Sequence, residues 1–235
     1  LDRFFQSPHI TSSMKPQVLM TLLKNLVERM LIIEELMVDA DIASSTMNML
    51  FSGFRALRQM DNDLCLQCIP QLFHHCLHYF RRKDSEAFRI KVSSVLSDLM
   101  ELCITEEAVG KAFKYSQNSS NKEHPVLSIV AGVEAMLTVP YQDSWNNAFQ
   151  LISKLALIVG EKHSDLMKSI LQELGLLAAG PENDWTDAIQ ECIGNVVRAL
   201  GPAVVLDAIP LEIENAVEKG AEANSWLGFI LKKNT

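Results

Sequence analysis

Glycine is scarce in this sequence, at ten residues among 235. Strand-rich folds draw more heavily on turn residues than that, so the composition leans towards helix. No segment alternates apolar and polar residues in the manner of a half-buried strand. No apolar run reaches the ~18 residues of a membrane span. LSIVAGVEAML is interrupted by Glu134, and LALIVG lies between Lys154 and Glu161. No Gly-rich phosphate loop occurs. The five cysteines are odd in number and follow no regular spacing, which suits buried thiols in a reducing compartment better than a disulfide framework. No secretory leader opens the chain and it does not start with Met, so it reads as a piece of a longer, soluble intracellular protein.

What is present is ordinary globular material, 48% hydrophobic and 21% charged. The net charge of −8 disfavours a general nucleic-acid clamp. That charge is unevenly placed. Residues 182–222 hold nine acidic residues against Arg198 and Lys219, and the rest of the chain is nearly neutral. An acidic segment repels phosphate and suits a basic protein partner, with Glu212, Glu214, Glu218 and Glu222 as its candidate contacts. A solvated acidic loop is the plainer alternative.

Helical spacing dominates the chain. Residues 14–38 carry Val18, Leu22, Leu26, Met30, Ile33 and Met37 on one face. Residues 45–60 repeat the pattern before a break at Asp61-Asn62-Asp63. The stretch 64–81 contains Pro70, which either kinks a helix or opens a new one. Ser85 is placed to cap 86–103, with Ala87, Ile90, Val95, Leu99 and Leu102 inward. Thr105 is placed to cap a shorter helix. Residues 116–124, SQNSSNKEH, are the longest polar stretch and the candidate loop division. Ser144, Ser164 and Asp184 are the expected caps of three later helices, the first of them ending at Gly160. Paired, the helices recur at about 40 residues, the period of HEAT or armadillo units. The expected pairs are 14–60, 64–103, 125–160 and 164–200. The fold class expected is all-α, a solenoid of HEAT/armadillo-like helix pairs running through 1–235 as one continuous repeat region.

The stretch RALGPAVVLDAIPLEI, 198–213, makes a corner in that scheme. Gly201 is expected in the left-handed conformation that ends one helix. Pro202 suits the first position of the next, and Pro210 ends that helix after about two turns. LGPAVVLDAIPLEI resembles the "GPE-x-VL-x-x-IPL" element of the ribosomal RNA processing protein 12 family, a eukaryotic HEAT-like repeat family. VPYQDSWNNAFQLISKLALIVGEKHSDLMKSILQEL (139–174) resembles the family's "SW" helix and the helix pair after it. AIQECIGNVVRALGP (188–202) resembles the helix before the corner, and SWLGFILKKNT (225–235) its "SWLLP" helix. The resemblance covers 139–235. Ala203 stands where the family usually has Glu, and Gly228-Phe229 where it has Leu-Pro. The resemblance implies a non-catalytic scaffold in ribosome biogenesis, located in the nucleus and nucleolus and shuttling with maturing subunits. The implied partners are pre-ribosomal particles, assembly factors, ribosomal proteins, pre-ribosomal RNA and the Ran transport system. Another HEAT-like scaffold, such as a nuclear transport receptor, is the alternative.

Candidate sites are few. CLQCIPQLFHHCLH, 65–78, offers Cys65, Cys68, His74, His75, Cys76 and His78, and a C-x-x-C beside histidines suggests a zinc-stabilised module. On one helix, however, Cys65, Cys68 and Cys76 fall on an apolar side, and zinc sites usually join two ligand pairs across a turn. A thiol-containing core is the expectation, with no metal and no cofactor. His124 and His163 read as cap or loop residues. Ser144 and Ser225 precede Trp at helix starts, where capping explains them better than nucleophilic chemistry, so no enzyme is expected. Arg81, Arg82, Lys83, Arg89 and Lys91 form the one basic cluster, a candidate RNA contact that Asp84 and Glu86 dilute.

Overall fold

The computed structural model describes residues 14–32, 40–82, 86–118, 124–180, 184–211 and 224–234. Among these residues there is no strand. The described residues form eleven α-helices: α1 Pro16–Ile32, α2 Ala40–Met60, α3 Asn62–Phe80, α4 Glu86–Cys103, α5 Glu106–Asn118, α6 Pro125–Ala135, α7 Trp145–Val159, α8 Lys168–Ala179, α9 Thr186–Leu200, α10 Pro202–Ala208 and α11 Ser225–Asn234. Short 3₁₀ segments, Val139–Ser144 and Glu161–Met167, precede α7 and α8.

The helices pack as two rows. In one row α2 packs on α4, α4 on α7, α7 on α9, and α9 on α11. In the other α1 packs on α3 and α3 on α6. That row continues through Glu161–Met167 and α8 to α10. The helices from α1 to α4 and from α6 to α9 each meet a neighbour in their own row and a partner in the other, which is a stack of helix pairs rather than a closed bundle. The expected pairing is the observed one, with α5 added between α4 and α6, against α6 and the 3₁₀ segment Glu161–Met167. The buried side chains join into one continuous core from Leu19 to Ile230.

Local chemistry explains many boundaries. Asp61 accepts from the Leu64 amide at 3.0 Å and so separates α2 from α3. Thr105 Oγ1 accepts from the Ala108 amide at 3.2 Å and opens α5. Pro70 lies inside α3, whose path runs through it, so of the two sequence readings the single helix holds. Ser85 and residues 119–123 of the polar stretch lie outside the described residues, but α5 extends well into that stretch, to Asn118.

Other boundaries depart from expectation. Ser144 occupies the N-cap position of α7 without a capping bond. Its buried hydroxyl instead donates to the Phe80 carbonyl at the end of α3, at 2.6 Å. Ser164 lies within the 3₁₀ segment, and Trp185 rather than Asp184 is the N-cap residue of α9. For Ser144 the reason is packing between repeats, which spends on α3 the hydroxyl that local propensity would spend on a cap. The same holds for the inner face of α1. Leu19, Leu23 and Val27 are buried, while Val18 is 54% exposed. In α4, likewise, Ala87 and Ile90 face outward and Phe88, Val92 and Leu96 face inward.

Gly160 and Gly201 end α7 and α9 at equivalent corners of successive pairs. Their torsions are φ 66°, ψ 169° and φ 87°, ψ 155°. The positive φ is as expected, but the extended ψ is not the left-handed helical well. Side-chain-bearing residues avoid this region even more strongly.

His124 caps α6 through Nδ1, which accepts from the Val126 amide at 3.3 Å. Burial lowers its pKa, helped by Lys111, and burial followed by the His74 charge lowers that of His75. Both groups therefore bind protons more readily in the unfolded chain, where the ordinary value is about 6.5. Their contribution is complete above that value and is lost as the pH falls through it towards the folded-state values. The thermal midpoint is expected to fall between pH 7.5 and 5.5. His124→Asn, which keeps a capping acceptor but cannot titrate, should make that fall shallower. Melting curves across this window check it, and an equally steep fall in the variant refutes the assignment.

Candidate functional site

The basic cluster loses Arg89 to the interior. Arg81, at the end of α3, is exposed and lies over the Tyr141 ring, 4.8 Å from its centroid. Arg82 and Lys91 are half-buried. Arg89 is only 7% exposed, and its guanidinium donates to the Arg82 carbonyl. Inward-pointing and hydrogen-bonded, Arg89 clamps the turn between α3 and α4 and is withdrawn from solvent. Lys83 lies outside the described residues, as do Glu212, Glu214, Glu218 and Glu222.

The cysteine and histidine stretch spreads around α3. Cys65, Cys68 and Cys76 are buried, whereas His74 and His78 are exposed. The thiols thus face the core while those imidazoles face away, so the stretch does not converge on one metal-sized point. Cys65 Sγ lies 3.0 Å from Cys103 Sγ on α4 and donates to the Phe54 carbonyl of α2 at 3.4 Å. The hydrogen bond with Cys103 and then burial push the Cys65 thiol far up, and burial does the same for Cys76. The burial of Cys192 pushes it up to about 12. Thiols held protonated in this way are packing groups, not nucleophiles. Cys65→Ala with Cys68→Ala is expected to leave a folded chain and cost about 1–2 kcal/mol, on the scale of one buried methylene each. Urea denaturation measures the loss. Stoichiometric zinc in the parent, with unfolding on chelation, would defeat the packing assignment.

His163 is a core residue rather than a loop residue. It sits in the 3₁₀ segment before α8 with φ −124°, ψ 23°, and packs against the Phe113 ring of α5, centroids 5.2 Å apart. Its Nε2 would lie 3.6 Å from a Cβ at Gly110. That is an ordinary contact distance, so α5 seats closely against the following pair without depending on glycine at 110. Local sequence held no signal for this contact, because His163 and Gly110 belong to different repeats.

The row of α4, α7 and α9 carries a groove of about 490 Å³. Its border includes Glu86 and Ile90 of α4, Asn146 and Gln150 of α7, and Glu191 and Asn195 of α9. Each helix thus offers two positions one turn apart. The sequence does not show this grouping: it marks Ile90 as a core residue and Glu86 as a charge diluting the basic cluster, with nothing to bring either to α7 and α9.

A family model described as "Ribosomal RNA-processing protein 12, HEAT repeats" matches residues 82–235. The chain belongs to this family. The match reaches upstream of the 139–235 segment on which the sequence resemblance rested, and it takes in α4 to α6 as well as the corner. Relatives of the ribosomal RNA-processing protein 12 family are similar along most of the chain. The RRP12-like protein of Gallus gallus is 24% identical over 176 residues, 75% of this chain and 13% of that protein. That of Homo sapiens is 26% identical over 165 residues, 70% and 13% respectively. That of Drosophila melanogaster is 25% identical over 185 residues, 77% and 12%. The chain thus spans about one eighth of the length of these relatives. Its departures from the family pattern, Ala203, Gly228 and Phe229, are all exposed, so they leave the core untouched.

Proposed function

We propose that this chain is a HEAT-repeat part of a ribosomal RNA-processing factor, working as a non-catalytic scaffold on pre-ribosomal particles in the nucleolus and nucleus. The observation that carries the reading is the family match over 82–235. A stack of helix pairs supports it physically, because such a stack offers long, continuous faces to several partners at once. The side chains that invited a catalytic reading also fit a scaffold: Ser144 is spent on the Phe80 carbonyl, and His163 is packed in the core. In this reading the chain supports pre-ribosomal RNA processing and export of maturing subunits, in company with assembly factors, ribosomal proteins and the Ran transport system. Arg81, Arg82, Lys83 and Lys91 are its proposed RNA contacts. The acidic segment with Glu212, Glu214, Glu218 and Glu222 is its proposed face for basic proteins.

The test is affinity purification of the full-length protein from cells, with and without residues 82–235, followed by measurement of the co-purified RNA and protein. The intact protein should recover pre-ribosomal RNA and assembly factors. Removal of the repeats should reduce that recovery and cause unprocessed precursors to accumulate. Recovery of transport cargo without pre-ribosomal RNA would overturn the reading in favour of a transport receptor.

A further inference from the structure

We infer that the groove across α4, α7 and α9 is a binding site for an extended, lysine- and arginine-rich polypeptide segment. Three helices in one row meet there. At helix spacings of about 8–10 Å the groove crosses some 16–20 Å, the length of about five or six extended residues.

The border is chemically one-sided. Glu86, Asp143 and Glu191 supply three carboxylates, and among the described residues no lysine or arginine lines the groove. The first turns of α4, α7 and α9 lie nearby and bring partial positive charge. At about half a charge each, they sum to less than the two charges of Glu86 and Glu191 alone. A cation is therefore favoured and a phosphate is not.

The amides make the site more than an acidic patch. Asn147 is only 5% exposed, and its side chain borders the groove. Among the described residues no group hydrogen-bonds that side chain, although its backbone carbonyl accepts from Ser93. Its amide is not sealed from water, so a ligand in the groove exchanges water's hydrogen bonds for its own. Asn146 and Gln150 stand beside it on α7. Side-chain amides both donate and accept, which matches the alternating N–H and C=O groups of an extended backbone. Asn195 is fixed in orientation, donating to Ser153 Oγ at 3.3 Å and accepting from Arg198. Ile90 is half-exposed, and with Ala188 it offers an apolar floor for the methylene stems of lysine and arginine. Amides thus read the backbone while carboxylates read the side chains.

In the pre-ribosomal reading such segments are what basic ribosomal proteins would supply, but the site stands on its own geometry. The test is fluorescence anisotropy of the chain with a labelled synthetic peptide of alternating arginine and serine. Glu86→Gln with Glu191→Gln is expected to weaken binding about fivefold and to flatten its salt dependence. Gln150→Ala and Asn147→Leu, which change no charge, should each weaken it about threefold. Asp98→Asn with Glu173→Asn removes two exposed carboxylates outside the groove and should leave binding unchanged. Equal weakening by that control pair would reduce the effect to general acidity and overturn the site. So would unchanged binding in Gln150→Ala, whose exposed position keeps folding out of the question. A single-stranded RNA that binds the chain and is weakened by the same amide substitutions would also overturn it, in favour of nucleic acid. Failure with the peptide leaves co-purification with pre-ribosomal particles untouched, so the two readings fail separately.

Discussion

Gly201→Val is expected to destabilise the chain by about 3 kcal/mol, the upper end of the cost of holding a residue in a sparsely populated backbone region. Gly201 has φ 87° and ψ 155°, where a Cβ is strained by its own backbone. Crowding adds little: the nearest atom to a Cβ there would be Glu161 Oε1, at an ordinary 3.8 Å. The corner itself supplies the effect. The Gly201 amide still donates to the Val197 carbonyl at 2.9 Å, and Pro202 begins α10 immediately. A residue driven back to negative φ would redirect α10 away from α8 and α9, on which it packs. Gly160→Ala should behave in the same sense for the preceding corner, where no atom lies within 4 Å and the backbone cost stands alone. Gly228→Ala is the control. Gly228 is exposed within α11 with open space around it, so a gain of up to about 1 kcal/mol in helix propensity is expected. Equilibrium urea denaturation measures all three, and an unchanged midpoint for Gly201→Val would show that the corner does not require glycine.

A second large effect is expected where α10 ends. Ile209, 3% exposed, closes the corner by pressing onto α8 at Gly175. A Cβ at Gly175 would lie 3.0 Å from both Cγ1 and Cγ2 of Ile209, so the two cannot coexist without movement. Gly175→Val should cost about 2–3 kcal/mol through overpacking, and Ile209→Ala about 2–4 kcal/mol through the lost side chain and its cavity. The double substitution should be less damaging than the two losses added, by about 1 kcal/mol or more, because truncation at 209 vacates the space that valine fills. Strict additivity would mean that Ile209 is not seated on Gly175. This contact gives the apolar residue before Pro210 its reason: it locks the short helix across the end of a stacked pair.

The cysteines were legible because a helical face reports burial directly: Cys65, Cys68 and Cys76 share an apolar side and are buried together. The arginines were not, because Arg89 lies in the first turn of α4, where the dipole gives a cation no reason to stay, and nothing local says which carbonyl its guanidinium will reach. Arg89 turned inward to a carbonyl that only the α3–α4 turn presents. Trp145 and Trp185 illustrate the same limit at larger scale. Each opens a helix of the same row, and their rings meet edge-on with centroids 5.8 Å apart. Nothing local to either tryptophan signalled that contact.

By itself the sequence determined the all-helical class, the pairing at about 40 residues, most helix stops, the glycine corner and the family resemblance. These are set by interactions within a few residues: 3.6-residue periodicity, caps, and the torsional limits of glycine and proline. Only the tertiary structure decided which face of α1 turns inward and that Ser144 ties α7 to α3. It likewise buried His163 under α5 and brought Glu86, Asn147 and Glu191 to one groove. Those outcomes depend on lateral packing between helices far apart in sequence. Many near-equivalent apolar faces satisfy the local pattern there, and only mutual fit selects one.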